Sequence, residues 1–126
     1  MGKHPYLSVV IPCYNEENNI RRNVLADVEK FLQKQSFTYE VVIVDDGSTD
    51  ASADLIKKFI HPKTHFIFIG SRHGGKAVAV TTGVLAARGD YILFTDFDQA
   101  TPIDQFEKLA PYLDTFDVVI GSRSGQ

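Results

Sequence analysis

The chain has 126 residues, 44% hydrophobic and 23% charged, which is enough apolar material for one domain with its own core. A formal net charge of −3 with no basic stripe argues against nucleic acid as a partner. Cys13 is the only cysteine, which rules out an intrachain disulfide and suggests a reducing, cytoplasmic setting; no apolar run approaches the ~20 residues that cross a bilayer, and the N-terminus lacks a signal-peptide pattern.

Residues 1–6 read as a short leader. Leu7–Pro12 (LSVVIP) is apolar, β-branched and closed by proline, so a buried strand is expected. Cys13 beside it reads as a small buried hydrophobe. Asn15 is a candidate helix cap with Glu16 and Glu17 in the first turn. Ile20, Val24, Val28, Phe31 and Leu32 recur at helical spacing, predicting one helix to about Gln35. Tyr39–Val44 (YEVVIV) is the second strand and runs into the polar turn Asp45–Asp50. Leu55, Ile56, Phe59 and Ile60 mark the next helix, which Pro62 stops. Phe66–Ile69 (FIFI) is the third strand, followed by the glycine-rich loop Gly70–Gly75 and Lys76. Ala77–Ala87 is small and apolar, predicting a largely buried helix with Gly83 as its weak point. Tyr91–Thr95 is strand four. A helix over 103–113, kinked at Pro111, and a fifth strand over Asp117–Ile120 complete the series, with Gly121-Ser122-Arg123 behind it.

Strands alternate with helices, and most strands are continuous apolar runs. That combination predicts a three-layer α/β/α domain with a mainly parallel sheet covered on both faces. Ligands bind such sheets outside the carboxyl ends of the strands, at the point where the strand order reverses. The polar groups best suited to chemistry all follow strands: Tyr14–Glu16, Asp45 and Asp46, Lys76, and Asp96–Asp98.

Asp96 and Asp98 flank one residue, so on an extended backbone both carboxylates point to one face. Hard divalent cations prefer such oxygens and share them with phosphates; the plain alternative is an acidic loop that starts a helix. Of Asp45 and Asp46, adjacent and oppositely directed, one suits the turn Gly47–Asp50 and the other the crevice, where it would accept N–H groups from a nucleobase; both could instead only cap the following helix. Gly70–Lys76 matches G-x-x-x-x-G-K, but Ala77 stands where a phosphate-binding P-loop needs Ser or Thr, which argues against an NTPase. Ala100 and Thr101 break an EF-hand reading of Asp96–Asp98. The histidines at 4, 61, 65 and 73 show no ligand spacing and read as surface or structural. Arg123, on the same edge, suits either a second phosphate or plain solvent exposure.

Together the segments 9–17 (VVIPCYNEE), 41–50 (VVIVDDGSTD), 74–83 (GGKAVAVTTG), 89–98 (GDYILFTDFD) and 118–123 (VVIGSR) resemble the family 2 glycosyltransferases of GT-A fold, in the family's order. Within the family the chain looks most like the polyprenyl-phosphate sugar transferases, and Asp96–Pro102 is similar to the dolichyl-phosphate β-glucosyltransferase branch. The resemblance implies a nucleotide-sugar donor (a UDP-sugar such as UDP-glucose before a GDP-sugar), Mg2+ or Mn2+, a lipid-phosphate acceptor and inversion at the anomeric carbon. Pro12, Tyr14 and Glu16 match the loop around the nucleotide, Val44 and Asp46 the positions that receive the base, and Lys76 the lysine near the donor. Asp96 and Asp98 match the D-x-D that holds metal and diphosphate, with Asp98 at the catalytic centre; Arg123 matches an arginine facing the acceptor phosphate. Family members usually extend further. Residues 1–126 are therefore expected to be one donor-binding domain of a longer enzyme, working at the cytoplasmic face of a membrane, with a sheet edge through which it could self-associate.

Overall fold

A computed structural model describes residues 4–97. The expected helix over 103–113, the fifth strand, Asp98 and Arg123 lie outside the described residues. Among the described residues, four strands form one parallel sheet: β1 (Leu7–Cys13), β2 (Tyr39–Asp45), β3 (Phe66–Gly70) and β4 (Tyr91–Phe94), in the order β3-β2-β1-β4. Among the same residues, four helices connect them: α1 (Glu17–Arg21) and α2 (Val24–Gln33) after β1, α3 (Ser52–Ile60) after β2, and α4 (Lys76–Ala86) after β3.

The pleat sorts the core. Leu7, Val9, Ile11 and Cys13 of β1 and Val41 and Ile43 of β2 face Leu25, Val28 and Leu32 of α2 and Ile56 of α3. Val10, Val42 and Val44 face the other way, against Ala79 of α4. Each fully buried aliphatic side chain contributes about 1.5–3 kcal/mol, and both faces of β1 and β2 are used, which is why these strands read as unbroken apolar runs. The chain steps from β1 to β2 to β3 in one direction, then crosses back to the far side of β1. With right-handed crossovers that reversal puts α4 on the opposite face from α1–α3, giving the expected three layers.

Three expectations need correction. The single helix to Gln35 is two, because Asn23 takes a left-handed conformation (φ 69°) between α1 and α2. Asn15 caps no helix. It too is left-handed (φ 53°), and its Oδ1 accepts the backbone N–H groups of Thr49 at 2.8 Å and Asp50 at 3.3 Å. Helix α4 is not largely buried: Ala79 and Gly83, four residues apart, face the sheet, so Val78 and Leu85 point outward, Leu85 at 81% exposure. Gly83 is there for closeness of approach. A Cβ at that position would run into the Val10 side chain and come 3.1 Å from Val44 Cγ2.

Candidate donor-binding cleft

The register brings Cys13, Asp45 and Gly70 level at the carboxyl edge of the sheet. The Thr95 N–H donates to the Val10 carbonyl at 3.1 Å, carrying the β1–β4 pairing one step further and bringing Asp96 and Phe97 alongside the end of β1. At this edge a cleft of about 290 Å3 opens between the ends of β1 and β4 under the start of α4. This is where the strand order reverses, as expected for a ligand site in such a sheet. Pro12, Tyr14, Glu16, Asp46, Lys76 and Asp96 all line it. Val44 does not: its side chain is fully buried on the α4 face.

The two adjacent aspartates divide the work. Asp45 serves its own turn, accepting the Ser48 hydroxyl at 2.6 Å and the Ser48 N–H at 3.3 Å. Asp46 is turned toward the glycine-rich loop. Its Oδ1 accepts the Gly74 N–H at 2.8 Å, its Oδ2 accepts the Gly75 N–H at 3.0 Å, and His73 Nδ1 lies 2.9 Å from Oδ2. The Asp46 carbonyl is 3.1 Å from the same ring nitrogen. Both partners are acceptors, so Nδ1 carries the proton. These contacts also weigh against a P-loop, whose amides must be open to phosphate; here two of them are taken by a carboxylate.

His73, read from sequence as a surface or structural residue, proves to be a wall of the cleft. Its ring stacks on Tyr14 with centroids 4.3 Å apart and planes 26° from parallel. Its place directly before two glycines in a strand-to-helix loop was the available signal; the pairing with Tyr14, 59 positions away in sequence, was not readable. Phe97, the residue between the two acids, was also missed. It is 2% exposed and lines the cleft as well as the core.

Lys76 opens α4 and reaches across to β4. Its Nζ is 2.5 Å from Asp96 Oδ1 and 5.2 Å from the centroid of Phe94. Around the cleft the loops lace together: the N–H groups of Asn15 and Glu16 donate to the hydroxyls of Ser48 and Ser52, both at 2.8 Å. Asp50 accepts the Ser52 N–H at 2.9 Å. Although burial opposes its ionisation, this and its other hydrogen bonds from Ser52, with those from backbone N–H groups, hold it below the usual carboxylate range. Cys13 lines the cleft but is no nucleophile. Burial, seconded by the nearby Asp45 charge, pushes its thiol up to about 12.

Residues 8–125 match the family model for Glycosyl transferase family 2. The chain belongs to glycosyl transferase family 2. Among curated relatives of this family, the dolichyl-phosphate beta-glucosyltransferase of Dictyostelium discoideum is 36% identical, over 94% of this chain and 40% of its own length. Among solved structures, the mannosyltransferase PcManGT from Pyrobaculum calidifontis, in complex with GDP-Man and Mn2+, superposes with a TM-score of 0.63 at 28% identity, covering 76% of this chain and 28% of that one. Residues 1–349 of S. aureus TarS, in complex with UDP, give 0.64 at 28% identity, over 86% and 32%. The fold is the GT-A fold of this family's transferases, and the chain spans about two fifths of the curated relatives it matches.

Proposed function

We propose that this chain is the donor-binding part of a glycosyltransferase that moves a hexose from a nucleotide sugar to a polyprenyl phosphate such as dolichyl phosphate, with inversion. The observation that carries the reading is the convergence of Pro12, Tyr14, Glu16, Asp46, Lys76 and Asp96 on one cleft at the strand-order reversal, in a chain whose curated relatives are dolichyl-phosphate glucosyltransferases. Tyr14 and His73 offer a stacked aromatic wall for a base, and Lys76 a cation for phosphate. The donor is read as a UDP-sugar before a GDP-sugar, because the relatives transfer glucose by name; both nucleotides occur in the solved relatives.

Asp96 is a hard oxygen donor of the kind Mg2+ or Mn2+ takes. Among the described residues no three His, Cys, Asp or Glu side chains come together, so further ligands would come from the diphosphate, water and Asp98. Bound there, the cation would supply countercharge for the departing nucleoside diphosphate. An acceptor phosphate is already anionic at neutral pH and attacks without a dedicated base; Arg123 is assigned to hold it. No helix among the described residues is long and apolar enough to cross a membrane. A lipid acceptor would have the enzyme work at a membrane surface, which we read as the cytoplasmic one, and β3, outermost among the described strands on its side, is a candidate edge for self-association. Because the chain spans only part of its relatives, donor binding without turnover is the second reading for residues 1–126 alone.

Calorimetric titration with UDP, GDP and ATP, with and without Mn2+, tests this. Metal-dependent binding of UDP or GDP that is lost in Asp96→Ala and Asp98→Ala is expected. Preference for ATP, or nucleotide binding indifferent to both substitutions, overturns it.

A further inference from the structure

The contact between Lys76 and Asp96 joins the two groups assigned opposite duties at the donor. The ammonium lies 2.5 Å from the carboxylate oxygen and within 5.2 Å of the Phe94 ring centroid, so the lysine has both a charge partner and a π-face in this position. The two sides differ in freedom. Asp96 lies two residues past the end of β4 and its side chain is only 12% exposed, whereas the Lys76 side chain is 58% exposed on a four-carbon stem. The lysine can leave; the carboxylate stays.

A divalent cation and an ammonium cannot both sit on one carboxylate without strong mutual repulsion. A nucleoside diphosphate removes the conflict, because it offers the ammonium a new anionic partner beside the old one. We infer that Lys76 holds Asp96 until a donor diphosphate draws the lysine away, and that the divalent cation then takes over the carboxylate. The inference rests on the reading of Asp96 as the cation and diphosphate carboxylate. It makes Lys76 a positioning residue that couples cation to nucleotide: cation alone is held off, and cation plus diphosphate bind together. No bond is made or broken in the exchange, only the pairing of charges.

Mn2+ binding to the 126-residue chain, followed by electron paramagnetic resonance with and without UDP, tests the exchange in the wild type, Lys76→Met, Lys76→Arg and Asp96→Asn. Lys76→Met is expected to bind Mn2+ alone roughly tenfold more tightly than wild type, to bind UDP more weakly, and to lose most of the mutual enhancement between Mn2+ and UDP. Lys76→Arg keeps that enhancement, and Asp96→Asn loses Mn2+ binding. If Asp96→Asn abolishes Mn2+ binding while Lys76→Met binds Mn2+ no better than wild type, the exchange is wrong and the donor-site reading stands. If Mn2+ binding is absent throughout, or indifferent to Asp96→Asn, both fall. Circular dichroism establishes that each variant is folded, and Lys76→Gln replaces Lys76→Met should the latter not fold.

Discussion

Removing the Asp46 carboxylate should loosen the loop that carries His73 and leads to Lys76. Asp46 is 2% exposed and accepts the N–H groups of two consecutive glycines at 2.8 and 3.0 Å, with His73 at 2.9 Å. A hydrogen bond to a charged group is worth about 1.5–3 kcal/mol. The cleft is open to water, which would re-solvate part of what Asp46→Ala strands, so the expected loss falls below that of two full charged hydrogen bonds, at about 2–4 kcal/mol. Asp46→Asn separates charge from shape. Its amide keeps one acceptor but turns an NH2 donor toward an N–H donor, so it should lose at least half as much as Ala despite equal size. Urea unfolding followed by circular dichroism gives the stabilities, and amide hydrogen exchange at Gly74 and Gly75 gives the local effect, which should be an acceleration in both variants. Stabilities within about 0.5 kcal/mol of wild type, with unchanged exchange at both glycines, would refute the anchoring role.

At the opposite end of the sheet, Gly89→Ala should destabilise the fold by about 1–3 kcal/mol through overpacking. Its Cβ would meet Ser8 N and Ser8 Oγ at 2.6 Å and the Leu7 carbonyl carbon at 2.9 Å, largely backbone atoms with little room to yield; an unchanged urea midpoint would contradict this. For Cys13 the sign is fixed by a folded-state value near 12 against an ordinary 9.0. Below pH 9 both states keep the proton; between 9 and 12 only the unfolded chain releases it, so stability falls as pH rises, by on the order of 4 kcal/mol across the window. Cys13→Ala should flatten that part of the alkaline stability profile relative to wild type, and parallel profiles would count against a buried, protonated thiol.

The strands were legible because burial on both faces leaves no polar alternation to misread: Val9–Ile11 and Val41–Val44 are all fully buried. The helix break was not, since Asn23 looks like any polar position in an amphipathic run until its left-handed φ is known. Nor was the burial of α4. Its composition says apolar, but whether the small or the large residues face the sheet depends on how closely the helix sits, and that is decided by Gly83 against Val10 and Val44. In the cleft, strand-end positions identified Tyr14, Asp46, Lys76 and Asp96, because topology alone gathers strand ends. The stacking of His73 on Tyr14 depends on the path of a loop pinned by Asp46, a tertiary fact with no local sequence signal.

The described carboxylates at the carboxyl edge can be separated by what already claims them. Asp45 is taken up by Ser48, and Asp46 by Gly74, Gly75 and His73, so using either for a cation would unpair donors of the chain's own loops. Glu16 accepts the Asn19 side-chain amide at 2.8 Å within its own helical turn. Asp96 is different in kind. It pairs with Lys76, a long-stemmed lysine that a phosphate could satisfy equally well. The two aspartates after β2 thus hold the walls of the cleft in place, and the proposed donor role falls to the aspartate after β4, whose lysine partner is exchangeable.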